Sequence, residues 1–282
     1  MVPFIGQAPT LTNEVYKYLA ELVYKHSRIR LGNDKHALVS GRVRKRLRKL
    51  GMDSFEAYCD LLRSPAGGEE IAHLIDHIST NHTHFFREIA HLDFLQKEML
   101  PAVLPGLQRT RGTFRVWSAA CSSGEEPYTI GIVLAEAQQT HGSFEWQIHA
   151  TDISTRVLKH ASEGIYTADR VKLPKDDWLR KYFQKGLGNW EGHFRVKDDI
   201  RQRIHFQQTN LLQQPYPVPR GQHVIFCRNV MIYFDHDTQQ QLVSSLSPWL
   251  APGGCLIVGH SESLVGIQHD LTQIHPGIYR RK

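Results

Sequence analysis

The feature that most constrains the fold is a regular alternation of strand-like and helix-like segments from Thr113 onward. Short runs rich in β-branched and aromatic residues are separated by longer segments with helical spacing. The predicted strands are Phe114–Ala119, Trp146–Thr151, Ile204–Gln207, Val224–Cys227 and Cys255–Gly259, and the predicted helices include Pro127–Gln138 and Thr238–Leu250. This alternation predicts an α/β fold with a mostly parallel sheet, whose ligands bind in the loops beyond the carboxyl ends of the strands.

Two segments depart from the alternation. Leu271–Ile274 and Ile278–Arg280 flank Pro276-Gly277, which predicts an antiparallel terminal hairpin at the edge of the sheet. Residues from about 165 to 200 contain short alternating runs around a glycine-rich stretch. We interpret them as a small antiparallel β subdomain inserted into the larger fold.

The first 90 residues contain no alternating stretch and predict a separate helical domain, followed by a second domain over residues 91–282. The predicted helices are Thr12–Arg28, Lys35–Leu50, Ser54–Leu62 and Glu69–Ser79, and a further helix, His91–Leu104, is predicted to end at Pro105-Gly106.

Composition excludes several classes of protein. The chain has 282 residues, of which 41% are hydrophobic and 22% are charged, as expected for a folded globular protein. No apolar run approaches the ~18 residues that span a bilayer. The opening residues MVPFIGQAPT lack the basic flank and apolar core of a secretory signal. The four cysteines form no CxxC pair, so we predict a cytoplasmic protein without a disulfide framework.

Basic charge is concentrated between Lys25 and Lys49, where ten basic residues accompany one acid although the whole chain carries only +6. Within this segment one apolar helical stripe is predicted, formed by Val39, Val43, Leu47 and Leu50, with Gly51 as the C-cap. The simplest alternative is a solvated helix face. The density of arginine favours a docking surface for an anionic partner, which can be nucleic acid, an anionic membrane or an acidic protein.

The segment after the first predicted strand has the features of a ligand-binding turn. Small residues and Gly124 follow the strand, and then come Glu125, Glu126 and Pro127 at the start of a helix. There is no GxGxxG motif and no Walker lysine, and the two carboxylates would repel a pyrophosphate. A nucleoside that carries positive charge and no phosphate fits this turn, which describes S-adenosylmethionine.

The second strand ends in an acid, Asp152. At this position a carboxylate can accept hydrogen bonds from ribose hydroxyls. It can equally cap a helix that begins near Ser154. The two acidic features, in this order along the chain, together favour a nucleoside site.

Several longer motifs resemble the chemotaxis-receptor glutamate O-methyltransferases (CheR type), and the resemblance covers nearly the whole chain. The motifs are Ser79–Glu88, Ser118–Tyr128, Thr151-Asp152-Ile153, Thr209-Asn210-Leu211-Leu212, Phe226–Asp235 and Gly259–Ser263. The resemblance implies a helical N-terminal domain joined to a Rossmann-like class I methyltransferase domain with a small β subdomain. It also implies S-adenosylmethionine as cofactor, with S-adenosylhomocysteine as product.

The resemblance implies a set of cofactor contacts, although spacing alone does not separate Glu126 from its neighbour Glu125. These contacts are Asn81, Thr83, Arg87, Glu126, Asp152, Asn210, Leu211, Arg228 and Asn229. The implied reaction forms glutamate methyl esters on chemoreceptors in chemotaxis adaptation. A solvent-accessible glutamate is already ionised at neutral pH, so no general base and no metal are expected.

Two residues are candidates for roles near the reacting groups. Arg87 would hold the carboxylate of the cofactor or the geometry of its own segment. Tyr233 would orient the incoming carboxylate, or alternatively pack as a structural tyrosine under the cofactor.

The implied partners are the acidic methylation helices in the cytoplasmic part of a chemoreceptor. Arg42, Arg46 and Arg48 would steer and hold them. The β subdomain, with its loop Gly186–Gly192, would take a C-terminal tether peptide of the receptor as an added strand. We expect no membrane insertion.

Three alternatives are weighed against this interpretation. A nucleic-acid methyltransferase would need an Asp/Asn-Pro-Pro-aromatic loop or a Pro-Cys nucleophile, whereas Cys227 follows Phe226 and is predicted to be a buried small hydrophobe. A non-enzymatic adaptor or signalling scaffold with the same fold is disfavoured only by the intact cofactor-binding motifs. A metal site at His82 and His84 would need further ligands that the sequence does not group with them. We therefore expect neither nucleic acid nor metal.

Overall fold

The computed structural model describes residues 9–282, so most of the segment examined for a secretory signal lies outside the described residues. The chain forms two compact units. The first unit contains the described residues up to Thr80 together with Tyr233–Asp235, and the second contains Asn81–Ile232 and His236–Lys282. The division therefore falls earlier than the boundary expected near residue 90. The side chains of Phe85 and Phe86 belong to the hydrophobic core of the second unit, which explains the difference.

The first unit is helical, as predicted. Its helices are α1 (Asn13–Ser27), α2 (His36–Leu50), α3 (Phe55–Arg63) and α4 (Gly67–Ile78). Thr12 and Ser54 cap the first turns of α1 and α3, because their side-chain oxygens accept hydrogen bonds from the backbone N–H three residues later.

The apolar stripe on α2 is confirmed for three of its four members. Val39, Val43 and Leu47 are buried in the core of the first unit. Leu50 is 36% exposed, because it is the last helical residue and lies beyond the buried part of the stripe. Gly51 is the predicted C-cap, in the left-handed conformation with φ 66°.

The second unit is built on a seven-stranded sheet. Its strands are β1 (Thr113–Ala119), β2 (Glu145–Asp152), β6 (Ile204–Gln208), β7 (Gln222–Cys227), β8 (Leu250–Val258), β9 (Leu271–His275) and β10 (Ile278–Arg281). The strand order is β6-β2-β1-β7-β8-β10-β9. The first five of these strands are parallel, and β10 and β9 are antiparallel at one edge. Both the parallel sheet and the terminal hairpin are confirmed.

Seven α-helices are described in the second unit. They are α5 (Ile89–Phe94), α6 (Leu100–Thr110), α7 (Glu125–His141), α8 (Thr155–Glu163), α9 (Asp177–Tyr182), α10 (Asp198–Arg201) and α11 (His236–Leu246). A π-helical turn, Leu95–Met99, joins α5 to α6. The core between the helices and the sheet includes fully buried Trp117, Trp146 and Phe226.

Two predicted helix ends are wrong. Pro105 does not end its helix, which continues to Thr110. A proline has no backbone N–H, so the carbonyl four residues earlier loses its hydrogen-bond donor. Because Pro105 is exposed, water can hydrate that carbonyl. The last helix ends at Leu246 and not at Leu250, because Pro248 disfavours α geometry at the preceding residue and Leu250 already begins β8.

The insertion forms the predicted small antiparallel sheet. Its strands are β3 (Ile165–Thr167), β4 (Phe183–Lys185) and β5 (His193–Val196), in the order β3-β5-β4. Within residues 9–282, no helix has both the length and the apolarity that crossing a membrane requires.

Candidate functional site

The candidate site lies at the carboxyl edge of the parallel strands in the second unit. The first strand ends at Ala119, which is paired with Thr151 near the end of β2. Strand β2 in turn pairs with β6 through Asp152 and Gln208, and β7 lies on the other side of β1. The loops that follow four neighbouring strands therefore meet at one edge, where α/β folds bind ligands.

The turn after β1 has an unusual backbone that its small residues permit. Ala120 and Ser122 have φ values of 76° and 51°, in the left-handed region that favours small or polar residues. Both Ala120 N–H and Cys121 N–H donate to Thr151 O at 2.8 Å, which fastens the turn to the end of β2. Gly124 has φ 96°, and a Cβ there would lie 2.8 Å from the Tyr166 hydroxyl.

Asp152 braces two of these loops. Its Oδ2 accepts from Ser122 N–H at 2.8 Å and its Oδ1 accepts from Ser154 N–H at 3.0 Å. Helix α8 is capped by Ser154 itself, whose Oγ accepts from Val157 N–H. Asp152 thus supports the start of α8 without being its N-cap. A carboxylate at the end of this strand is the type of group that accepts hydrogen bonds from ribose hydroxyls in such folds.

The structure separates the two adjacent acids. Glu125 is fully buried, forms an ion pair with Arg170 and accepts from Ser123 Oγ at 2.7 Å. The Glu126 side chain is 16% exposed, accepts from Ser118 Oγ at 2.7 Å and lies 3.3 Å from Arg228 Nη1. Burial raises the pKa of Glu126. Glu126 is therefore the acid of this pair that remains accessible to a ligand.

Arg228 lies at the centre of the charged groups in the site and is almost completely buried. Its Nη2 is 3.1 Å from Glu88 Oε2 and donates to Arg87 O at 2.7 Å, while its Nη1 faces Glu126. Asn229 Nδ2 donates to the other oxygen of Glu88 at 3.2 Å. Burial opposes ionisation of Glu88, but Arg228 and Asn229 outweigh it and hold the pKa of Glu88 below its ordinary value.

The segment that begins the second unit also reaches this edge. Asn81 O accepts from Ser122 Oγ at 3.2 Å, so the segment contacts the turn after β1. Arg87 donates to His82 O at 2.9 Å, which closes a tight local turn, and Thr83 is half-buried within it.

The loop after β6 is joined to the same edge. Thr209 N–H donates to Asp152 O at 2.9 Å, and Asn210 Oδ1 accepts from Leu212 N–H at 3.1 Å. Leu211 is 7% exposed, and its carbonyl accepts from the Tyr216 hydroxyl. All nine residues expected to contact the cofactor therefore lie in the second unit, on loops or at the ends of elements at or joined to this edge.

Four other predicted residues belong to the first unit. Tyr233 O accepts from Arg30 N–H at 2.9 Å. Arg42 donates to the carbonyls of Ile78 and Ser79 at the end of α4. The roles predicted for these residues remain predictions.

Arg46 and Arg48 differ sharply although both lie on α2. Arg46 makes a bidentate pair with the buried Glu70, at 2.8 and 2.6 Å, and Glu70 also accepts from the Tyr58 hydroxyl at 2.7 Å. The Arg48 side chain is exposed. Arg46 thus has a structural partner inside the helical unit, whereas Arg48 faces solvent.

Sequence reasoning gave no role to Glu88 and Glu262, which make many of the polar contacts of the site. Glu262 accepts backbone N–H groups from Asn229, Met231 and Gly259 at 2.7–2.8 Å. The only signal was that each acid stands inside one of the long motifs, Glu88 in Ser79–Glu88 and Glu262 in Gly259–Ser263.

One group of possible metal ligands occurs in the described part of the chain, and it is not the His82–His84 pair. Ligand atoms of Glu88, His91 and His260 lie within 4.8 Å of one another. Burial, together with the charge of Arg228, lowers the pKa of His91 to about 4. The guanidinium of Arg228 already forms an ion pair with Glu88, with 3.1 Å between Nη2 and Oε2. Its positive charge would repel a metal cation bound to the same carboxylate. The expectation of no metal remains a prediction.

The thiol chemistry of one alternative receives no support. Cys227 is fully buried, as predicted, and burial raises the pKa of its thiol well above the usual value. A nucleophilic cysteine needs a lowered pKa and access to substrate. Cys227 has neither.

The donor set suits a cationic nucleoside. Asp152 places a carboxylate beside the turn after β1, where an acid can accept hydrogen bonds from ribose hydroxyls. Glu126 places a second, partly exposed carboxylate beside the same turn. Arg228, the basic side chain in contact with Glu126, is itself held between carboxylates. A phosphate would meet net negative charge here, whereas a sulfonium would be stabilised.

Comparison with known proteins agrees with this geometry. Residues 14–79 match the family described as "CheR methyltransferase, all-alpha domain", and residues 81–279 match "CheR methyltransferase, SAM binding domain". The chain is 37% identical to a chemotaxis protein methyltransferase of Borreliella burgdorferi over 96% of this chain and 95% of that protein. It is 38% identical to one of Escherichia coli, over 93% of this chain and 88% of that protein. The matched helical unit, the parallel sheet with its antiparallel edge and the small inserted sheet together show that this chain belongs to the CheR methyltransferase family and has its Rossmann-like class I methyltransferase fold.

Proposed function

We propose that this protein transfers a methyl group from S-adenosylmethionine to glutamate side chains of chemoreceptors, forming methyl esters. The observation that carries the proposal is the pair of carboxylates at the carboxyl edge of β1 and β2. Asp152 braces the turn and Glu126 remains accessible, in the arrangement that a positively charged nucleoside requires. The chemotaxis methyltransferases to which the chain is similar support the receptor as substrate.

Each group in the site has a distinct part in this proposal. When bound, the cofactor supplies a methyl group that is activated by its positive sulfur. Asp152 would hold the ribose hydroxyls, and Glu126 would face the positive charge, while Asn210 and Leu211 would border the adenine. Arg228 keeps Glu126 and Glu88 in fixed positions, so little reorganisation is needed when the cofactor binds.

The acceptor carboxylate needs no activation by the protein. An accessible glutamate has a pKa of about 4.3 and is ionised at neutral pH. The protein has to align the carboxylate oxygen with the methyl carbon and the sulfur, and to exclude water. Arg87 and Tyr233 remain our candidates for this alignment, with Asn81, Thr83 and Asn229 completing the cofactor contacts.

Transfer of a tritiated methyl group to receptor-rich membranes tests this proposal. We expect label in protein that is released as methanol by mild base, as a carboxylate ester requires. Label in RNA would favour the nucleic-acid alternative. Cofactor binding without transfer to any of these acceptors would favour an adaptor without catalytic activity.

Docking of the receptor is proposed on the exposed basic face of α2. Lys45 and Arg48 are three residues apart, so they share a face, and both are exposed. We expect Arg48→Glu to slow receptor methylation roughly fivefold at low salt, since a charge at the rim of an interface mainly changes the association rate.

The control is Lys17→Glu, which makes the same charge change at an exposed position of α1 in the same unit. Affinity for S-adenosylhomocysteine should be unchanged in both variants. Equal methylation rates for Arg48→Glu and Lys17→Glu would remove this face from the docking surface.

The β subdomain is proposed to bind the C-terminal tether peptide of the receptor. Its strand β4 is an edge strand, and beside it the loop Gly186–Gly192 exposes 81% of Leu187 and 55% of Trp190. An edge strand next to exposed apolar side chains suits an added peptide strand. Calorimetric titration with the receptor tail should give saturable heat, and its absence at high peptide concentration would contradict the proposal.

A further inference from the structure

The loop after β7, Arg228–Ile232, carries two of the residues expected to contact the cofactor, and its backbone is irregular. Asn229 has φ 56°, in the left-handed region. A loop in this conformation turns several backbone N–H groups toward one point, and those groups need an acceptor when they are buried.

We propose that Glu262 is a positioning residue for the cofactor site, fixing the loop from which Arg228 and Asn229 extend. The inference rests on the proposed function, because it assigns Glu262 a part in binding the cofactor. Glu262 itself is 8% exposed, and no contact between it and the cofactor is required.

The contacts of Glu262 use both of its oxygens. Oε2 accepts from Asn229 N–H and from Gly259 N–H, each at 2.7 Å. Oε1 accepts from Met231 N–H at 2.8 Å and from Ile232 N–H at 3.3 Å. One carboxylate therefore fastens the loop after β7 to the loop after β8.

Only an acceptor with two equivalent oxygens satisfies this arrangement. Gln has the same size, but its amide nitrogen would point hydrogens at two N–H donors and leave them without an acceptor. The close approach also depends on Gly259, where a Cβ would lie 2.5 Å from Asn229 Nδ2 and 2.8 Å from Glu262 Oε2.

A chain of direct contacts connects this loop to the charged groups of the site. The side-chain amide of Asn229 donates to Glu88, and Glu88 pairs with Arg228, which in turn faces Glu126. A shift of the Asn229 backbone would therefore alter the position of the accessible acid.

Glu262→Gln tests the proposal, with Glu163→Gln as the matched control at an exposed position of α8. We expect S-adenosylhomocysteine to bind Glu262→Gln at least tenfold more weakly than wild type. We expect KM for S-adenosylmethionine to rise by a similar factor, while kcat at saturating cofactor stays within about threefold. A purely structural role would instead lower thermal stability and the active fraction without changing KM.

A second variant perturbs the same contacts from the other loop. Gly259→Ala should weaken cofactor binding in the same direction, whereas Gly106→Ala, at a site where a Cβ meets nothing within 4 Å, should not. If Glu262→Gln does not fold, hydrogen exchange measured on the cofactor-free wild type tests the contacts of Glu262 instead. The amides of Asn229, Met231 and Gly259 should be protected.

The outcomes separate the inference from the proposed function. Wild type that does not bind S-adenosylhomocysteine overturns the proposed function. Wild type that binds, with Glu262→Gln within twofold of it, overturns the role of Glu262 alone. Rapid exchange of those three amides in the wild type would overturn it as well.

Discussion

Replacement of Arg228 by Met is expected to lower affinity for S-adenosylhomocysteine by at least about 100-fold and to destabilise the second unit by about 3–5 kcal/mol. The guanidinium is 3% exposed and lies within 3.3 Å of carboxylate oxygens on both Glu88 and Glu126. Its removal leaves two half-buried carboxylates without a counter-charge and also breaks the hydrogen bond to Arg87 O. Calorimetric titration and urea unfolding measure the two effects.

Two further variants make the Arg228 prediction specific. Arg109→Met, on the exposed face of α6, is the control and should change neither quantity appreciably. Glu88→Gln added to Arg228→Met removes one of the two carboxylates that lost their counter-charge, and it should restore part of the lost stability. A double variant that is no more stable than Arg228→Met would show that the loss does not arise from unpaired charge.

Arg46→Glu is expected to destabilise the helical unit by about 3–5 kcal/mol, because it breaks a buried ion pair and places a like charge against Glu70. Glu70 is 6% exposed and depends on Arg46 and Tyr58 as donors. Burial opposes ionisation of Glu70, but these two donors outweigh it and hold the pKa of its carboxyl below the ordinary value.

The matched variant is Arg48→Glu, two residues along the same helix on an exposed side chain, with an expected change within about 0.5 kcal/mol. Thermal unfolding of the two variants measures the difference. Equal stability would contradict the structural part assigned to Arg46. The comparison also guides receptor assays, since lost methylation in Arg46→Glu would report unfolding and not docking.

The elements of the second unit follow well from sequence because their signals are local. The alternation of short apolar runs with helical segments predicts the parallel sheet, and Asp152 is found where the second strand ends. Helix ends were less predictable. Pro105 is exposed, and exposure of one residue depends on tertiary packing that a local pattern does not encode.

The partners of the charged residues could not be predicted because they are distant in sequence. Glu125 differs from Glu126 in its burial and in its ion pair with Arg170, which the inserted β subdomain supplies 45 residues later. Arg46 has a structural partner in Glu70, which lies on another helix and 24 residues away in sequence. Glu262 finds its four donors in two separate loops, so neither its spacing nor its neighbours indicate its role.

The binding of S-adenosylhomocysteine to the purified chain is the measurement that bears most directly on the site. We predict saturable binding of one molecule per chain in a calorimetric titration, and at least tenfold weaker binding for Asp152→Asn. The weaker binding is expected because the amide would lose an acceptor and face the Ser122 or Ser154 N–H. Absence of saturable heat with the wild-type chain, or equal affinity for Asp152→Asn, would contradict the location of a nucleoside at the carboxyl edge of these strands.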